Sequence, residues 1–207
     1  MNKFNDVRKP IGDVGENIVI NEYISKIHNK YIDVTNDKNF QEIDIDILGF
    51  DNNTSDIITY EIKTDINCHN TMILNNNKIS YNTGNLFFAT KKYNGKIGWL
   101  YVSKAKYFIH VCLDSYNTNT GKKFENYDDY IVRAIYITNR ENLLDYIKEN
   151  KNYIKEINLM EDPDDKKIGY NKGYCISLKT LFEKKITKYA VIQHTELGIP
   201  KIFCNIK

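Results

Sequence analysis

The chain contains little proline and glycine and no long apolar run. Its 207 residues include 3 prolines and 10 glycines, so no flexible linker rich in these residues divides it. No stretch reaches the ~18 consecutive apolar residues that a membrane-spanning helix needs, and the polar N-terminal residues lack the apolar core of a signal peptide. These absences predict one cytoplasmic α/β domain over residues 1–207 and argue against a membrane protein or a secreted protein.

Closely spaced metal-ligating side chains are also lacking. The 4 cysteines and 4 histidines are dispersed along the chain, and no C-x-x-C pair is present. A structural zinc site is therefore not expected. Unpaired cysteines in a chain of this size fit a reducing, cytoplasmic compartment.

The net charge of +2 is too small to indicate nucleic-acid binding, but the charges are unevenly distributed. Residues 1–62 contain 6 basic and 12 acidic side chains, whereas residues 63–127 contain 9 basic and 3 acidic ones. This asymmetry is expected if metal-binding carboxylates lie beside a groove for a polyanion. The alternative is the ordinary fluctuation of charge along any chain.

Apolar spacing predicts a helix over residues 13–28. Asp13 stands where an N-cap is expected, and Glu16 follows three residues later, which is the arrangement of a capping box. A structural interpretation therefore explains Glu16 through the cap and the helix dipole alone.

Two strands with a turn between them follow this helix. Residues 41–49 alternate between isoleucines and acidic side chains, which predicts a strand with Asp44 and Asp46 on its polar face. Residues 51–56 are typical of a turn, and residues 57–65 form a second β-rich run. The pattern predicts a β-hairpin.

This hairpin would bring several charged groups together. Glu61 and Lys63 are two residues apart, so their side chains project from the same face of the second strand, beside Asp44 and Asp46. Crowded carboxylates repel unless a cation neutralises them, and hard oxygen ligands of this kind suit Mg²⁺ or Mn²⁺. The lysine adds a positive group that can orient a water molecule and stabilise developing charge on a phosphate. Phosphodiester hydrolysis needs such a set, although a solvated ion pair on the wet face of a sheet would show the same pattern.

The order of these residues resembles the PD-(D/E)XK nuclease superfamily, and in particular its phage-type nucleases. The motifs that carry the resemblance are Glu16, Ile45-Asp46-Ile47-Leu48, Tyr60-Glu61-Ile62-Lys63-Thr64-Asp65, Thr83-Gly84-Asn85 and the segment 103–111. The likeness covers roughly residues 12–111. It implies a restriction-endonuclease-like α/β fold, with a mixed central sheet flanked by helices, in which residues 112–207 complete the domain.

The resemblance also implies roles for individual residues. Asp46 and Glu61 would bind the divalent metal, Lys63 would act on the attacking water, and Glu16 would complete the site. Asp46 is preferred over Asp44 because apolar residues follow it directly. Asp44 is a candidate for a supporting contact or an alternative ligand. The proline of the family motif is replaced by Ile45, a departure that does not touch the metal set.

The predicted function is a Mg²⁺-dependent or Mn²⁺-dependent deoxyribonuclease whose partner is DNA. Lys91 and Lys92, in the basic middle of the chain, are predicted to contact nucleic acid, and Gln41 is a candidate for a supporting or substrate contact. A catalytically inactive nucleic-acid-binding or interaction protein, a restriction endonuclease and a junction resolvase stay open as alternatives. A homodimer stays open as well.

Overall fold

The structure is a computed structural model that describes residues 9–65, 69–74, 77–82, 84–114, 131–160, 169–194 and 200–203. The strands within these ranges are β1 Tyr31–Asp33, β2 Ile47–Phe50, β3 Ile57–Asp65, β4 His69–Leu74, β5 Asn77–Asn82, β6 Asn85–Lys91, β7 Tyr107–Asp114, β8 Ile131–Asn139, β9 Glu156–Met160, β10 Tyr170–Ser177, β11 Thr187–His194 and β12 Pro200–Phe203. The helices there are α1 Lys9–Val19, a π-helical segment Ile20–Ile24, α2 Ser25–Ile27, α3 Lys38–Gln41, α4 Trp99–Val102, α5 Arg140–Glu149 and α6 Leu178–Glu183. None of these helices is long and apolar enough to cross a membrane.

A seven-stranded mixed sheet forms the centre of the molecule, in the order β1-β2-β3-β7-β8-β11-β12. Its neighbouring strands are antiparallel except β3 and β7, which run parallel. A three-stranded antiparallel sheet has the order β6-β10-β9, and β4 and β5 pair with each other. The prediction of an α/β fold with a mixed sheet flanked by helices is confirmed at this level, and the antiparallel β2–β3 hairpin is also confirmed.

The central sheet is covered on both faces. On β7, Ile109 and Val111 face one side and pack with α1 and the π-helical segment. Phe108 and Cys112 face the other side, where they pack with the three-stranded sheet and with α4, α5 and α6. Alternate side chains of the same strand therefore enter two different cores, because side chains on a strand point to opposite faces in turn.

Helix α1 packs closely against β3. It begins at Lys9, so Asp13 lies inside the helix and the predicted N-cap at Asp13 is wrong. A Cβ atom on Gly15 would collide with the hydroxyl group of Thr64 on β3. Glycine at this position therefore allows the backbone of α1 to approach the sheet, and the approach sets the position of the next residue, Glu16.

The predicted strand over residues 41–49 is wrong in its first half. α3 ends at Gln41, Asp44 has a left-handed backbone conformation with φ of 46°, and β2 begins only at Ile47. Ile45 is buried in a separate small core with Val34 and Ala105. The apolar alternation thus arises because Ile45 and Ile47 enter different clusters after a turn, and a strand is not required to explain it.

The T-G-N motif marks the start of β6. Gly84 has φ of 75°, a conformation that favours glycine, and its carbonyl oxygen accepts a hydrogen bond from the N–H of Leu178 at 2.7 Å. Asn85 pairs with Ser177 at the first position of the β6–β10 ladder. The motif therefore joins β6 to the beginning of α6; Thr83 lies outside the described residues.

Candidate active site

The predicted site lies where β2 separates from β3. The N–H group of Asp46 donates to the carbonyl oxygen of Tyr60 at 2.8 Å, and the next pair, Ile47 with Tyr60, is in the β2–β3 ladder. The carboxylate of Asp46 accepts a hydrogen bond from the N–H of Ile62 at 2.6 Å. The carboxylate of Asp46 therefore accepts the hydrogen bond that a backbone carbonyl of β2 would accept if the ladder continued. This hydrogen bond holds Asp46 beside Glu61.

This geometry also orients a backbone carbonyl. In a strand, the N–H and C=O groups of one residue point to the same side. Because the N–H of Ile62 points at Asp46, the carbonyl oxygen of Ile62 faces the same gap between β2 and β3. The strand geometry thus directs a backbone oxygen toward the gap that holds the carboxylate of Asp46.

Glu61 is a buried carboxylate that is only half satisfied. Its side chain is 2% exposed, Oε1 accepts a hydrogen bond from Lys63, and Oε2 has no hydrogen-bond partner among the described residues. Burial raises the pKa of Glu61 to about 8; the charge of Lys63 opposes the shift and the charge of Asp46 adds to it. Burial likewise raises the pKa of Asp46, against the effects of Lys63 and of the Ile62 hydrogen bond. Two carboxylates are therefore held close together in a setting that disfavours their ionised forms.

Lys63 supplies the positive charge of the site. Its side chain is 30% exposed, and its ammonium group pairs with Glu61. Burial lowers the pKa of Lys63, but the nearby charges of Glu61 and Asp46 outweigh that effect and raise the pKa above its ordinary value. The lysine is therefore protonated at neutral pH.

Glu16 joins the cluster from α1. It is half-buried, and its pKa is raised to about 7, mainly by burial and then by the charge of Asp46, while Lys63 opposes the shift. The charges of Asp46 and Lys63 both act on Glu16, so the three side chains belong to one electrostatic cluster. The structure thus brings together Glu16, Asp46, Glu61 and Lys63, the four residues predicted as catalytic.

The two predicted supporting residues have different positions. The charge of Asp44 raises the pKa values of Asp46 and Glu61, and its Oδ2 atom is buried with no hydrogen-bond partner in the described part of the chain. The backbone carbonyl of Asp44 is held by the hydroxyl group of Ser103 at 2.8 Å. Gln41, in contrast, is exposed, and its amide donates to the carbonyl oxygen of Thr35 at 2.7 Å, in the turn that precedes α3.

Lys91 and Lys92 lie outside this cluster. Lys91 is the exposed last residue of β6 and pairs with Lys172 on β10. Lys92 begins the turn that follows β6. Both lysines therefore belong to the end of the three-stranded sheet.

Two aromatic neighbours of Lys63 were not expected from the sequence. The ammonium group of Lys63 lies 5.7 Å from the ring centroid of Trp99 on α4. His110 is the β7 partner of Lys63, and its ring centroid lies 5.7 Å from that of Trp99 and 5.2 Å from that of Phe88. Burial lowers the pKa of His110 to about 4, so the imidazole is neutral beside the lysine. Only the parallel pairing of β3 with β7 reveals this contact, since the two strands are far apart in sequence.

A donor set of this kind suits a hard divalent cation. The described residues contain no group of three or more histidine, cysteine, aspartate or glutamate side chains arranged to hold a metal ion. Mg²⁺ does not require such a group, because it commonly binds one or two carboxylates and completes its shell with water and substrate phosphate. The unpartnered oxygen of Glu61, the carboxylate of Asp46 and the carbonyl of Ile62 fit that pattern.

Comparisons of the chain with protein-family models, with curated proteins and with solved structures found no match in any of the three.

Proposed function

We propose that the protein is a metal-dependent deoxyribonuclease with a restriction-endonuclease-like fold of the PD-(D/E)XK type. One observation carries the proposal: Asp46 is held at the end of β2 beside the buried Glu61–Lys63 pair of β3, and one buried oxygen of Glu61 has no partner among the described residues. Leaving a buried polar oxygen unpaired typically costs about 1–3 kcal/mol. This cost is offset if the oxygen binds a metal ion.

Asp46 and Glu61 would hold Mg²⁺ or Mn²⁺, with the carbonyl of Ile62 as a further oxygen donor. When bound, the cation would supply Lewis-acid chemistry and make a coordinated water more acidic. Burial favours this assignment, since two adjacent carboxylates with raised pKa values gain more from a cation than two solvated ones would.

The remaining residues act on the proton and the charge. Lys63 stays protonated, so it can hold the attacking water by a hydrogen bond and stabilise negative charge as it develops on the phosphate. Glu16, with a pKa of about 7, can take up a proton at the edge of the site, or it can ionise and add a further carboxylate to the site. Lys63 would therefore stabilise charge, and Glu16 would transfer a proton.

A cleavage assay on a panel of substrates tests the proposal. The purified protein is incubated with supercoiled plasmid, linear duplex, single strands and a four-way junction, with Mg²⁺, Mn²⁺ or EDTA. We expect cleavage only with metal, and a loss of about 10²–10³-fold in rate in Lys63→Met with DNA binding retained. Lys26→Met, at an exposed ion pair with Glu22, is the matched control and should cleave like wild type. The substrate panel also separates a junction resolvase from a restriction endonuclease.

A catalytically inactive nucleic-acid-binding protein is the second candidate. One observation favours it: Lys63 already pairs with Glu61, so part of the carboxylate charge is neutralised within the protein. Wild-type protein that binds DNA but cleaves no substrate with any metal would support this candidate over the nuclease.

A further inference from the structure

Two segments that are far apart in the chain meet at one end of the three-stranded sheet. Lys91 pairs with Lys172 across β6 and β10, and the N–H of Tyr93 donates to the side-chain oxygen of Asn171 at 2.9 Å. A Cβ atom on Gly169 would lie 3.7 Å from the Cβ of Tyr93. The turn after β6 and the start of β10 therefore form one continuous surface. We call it the Lys–Tyr surface, made of Lys91, Lys92, Tyr93, Lys96, Tyr170 and Lys172.

The turn that carries Tyr93 is held by its own backbone. The N–H of Lys92 donates to the carbonyl oxygen of Lys96 at 2.8 Å, and the N–H of Gly95 donates to that of Lys92 at 2.9 Å. Gly95 has φ of 84°, which favours glycine in a tight turn. Because the hydrogen bond to Asn171 fixes the turn against β10 as well, the backbone beneath Tyr93 is anchored from two sides.

The two segments that form this surface are rich in lysine. Residues 91–97 and 169–172 contain four lysines and no acidic residue. Glu156 on β9 pairs with Lys172 at 2.7 Å and also accepts a hydrogen bond from Thr90. Within the described part of the chain, the other three lysines have no acidic partner, so their charges can offset that of an anionic partner.

Two exposed tyrosines lie near these lysines in the chain, Tyr93 beside Lys92 and Tyr170 two residues before Lys172. Tyr93 is 50% exposed and Tyr170 is 52% exposed, although each ring carries a large apolar face. Proteins that bind single-stranded nucleic acid combine such rings, on which bases stack, with basic groups along the backbone. Surfaces that bind other proteins are instead depleted in lysine at their centres.

We propose that the Lys–Tyr surface binds a single-stranded stretch of nucleic acid, with unpaired bases stacked on Tyr93 and Tyr170 and with phosphates near the lysines. Bases in a duplex are stacked on each other and offer no free face to a tyrosine, so the surface selects unpaired nucleotides. The inference rests on the proposed function and deepens it: the substrate is DNA that contains a single-stranded segment.

Binding measured without metal tests this inference separately from cleavage. Fluorescence anisotropy in EDTA compares a labelled oligothymidine with a duplex of the same length. We expect tighter binding of the single strand, and a loss of about 5- to 150-fold for each tyrosine replaced by alanine, which is the usual contribution of a stacked base. Tyr153→Ala is the matched control, because Tyr153 is 86% exposed and follows α5, outside the Lys–Tyr surface.

Salt dependence gives a second measurement. Each phosphate contact on a single strand contributes about −0.7 to the slope of the logarithm of the association constant against the logarithm of the salt concentration. Lys91→Ala and Lys96→Ala should each flatten the slope by about that amount. Unchanged circular dichroism and melting temperature in all variants would show that the fold is retained.

Several results would overturn the inference. The first is that the wild-type protein does not bind the single strand. The second is that Tyr93→Ala, Tyr170→Ala and the control Tyr153→Ala all bind the single strand with equal affinity. The third is a concentration-dependent dimer of the wild-type protein that the Tyr93 and Tyr170 variants abolish. If the tyrosine variants lose single-strand binding while wild type cleaves nothing, the Lys–Tyr surface stands and the nuclease proposal fails. If wild type cleaves DNA and the tyrosine variants bind normally, the reverse holds.

Discussion

Removing the charge of Lys63 should destabilise the metal-free protein, because it leaves the carboxylates of Glu61 and Asp46 buried without a cation. Breaking a fully buried ion pair by removing one partner costs about 3–5 kcal/mol, and exposed pairs contribute about 0–1 kcal/mol. Since Glu61 is 2% exposed and its pKa is about 8, its carboxylate is mostly ionised at pH 9, and we expect Lys63→Met to lower the free energy of unfolding by about 1–2 kcal/mol at that pH. The assay is urea unfolding in EDTA.

The sign of the pH dependence follows from Glu61. Its pKa is about 8 in the folded protein, above the ordinary value of 4.5. The contribution of Glu61 to the free energy of unfolding is therefore fully present below pH 4.5 and is lost as the pH rises through 8. Lys63 opposes this shift, so its removal raises the folded-state pKa further. The deficit of Lys63→Met should therefore be small at pH 5 and large at pH 9.

A matched set of variants sharpens the test. Glu61→Gln, which removes the buried negative charge, should cost much less than Lys63→Met, and it should restore most of the lost stability in the double variant. Lys26→Met, at an exposed pair, should change the free energy of unfolding by less than about 0.5 kcal/mol. If Lys63→Met is as stable as Lys26→Met at every pH, then Glu61 is not a buried, ionised partner and the electrostatic reasoning is refuted.

Three further predictions concern the helix, the metal and the proton. Gly15→Ala should lower the melting temperature and destabilise the fold by about 1–3 kcal/mol, because its Cβ would collide with Thr64. The control is Gly12→Ala, which has open space around its Cβ and should be neutral or stabilising by up to about 1 kcal/mol. Because Trp99 is the single tryptophan of the chain and faces Lys63, Mg²⁺ should produce a saturable change in its fluorescence, and a flat titration with calorimetric evidence of binding would locate the metal elsewhere. Calorimetry should show Mg²⁺ affinity rising from pH 6 to pH 8 as Glu16 loses its proton near pH 7, with a weaker rise in Glu16→Gln; identical pH dependence in both proteins would contradict this role.

Local sequence determined the parts of the site that depend on short-range geometry. Glu61 and Lys63 share a face because side chains alternate along a strand, whatever the rest of the fold does. The turn between β2 and β3 follows from its polar composition, and it joins Asp46 to Glu61 through the predicted hairpin. The helical spacing around Glu16 likewise predicted the helix, although its start lies four residues earlier than the pattern indicated.

Only the tertiary structure decided how these pieces meet. The spacing of isoleucines predicted a strand through Asp44, but the chain turns there. The turn buries Ile45 with Val34 and Ala105, a cluster that the local apolar pattern does not reveal. The contact of Lys63 with His110 depends on the parallel pairing of β3 and β7.

The Lys–Tyr surface shows the same division. Its lysines are visible in the basic middle of the chain, but their juxtaposition with Tyr170 depends on the pairing of β6 with β10, across about eighty residues of sequence. Periodicity reports which side chains of one element share a face. It carries no information on which elements become neighbours, because that choice depends on long-range burial and on the closure of the loops between them.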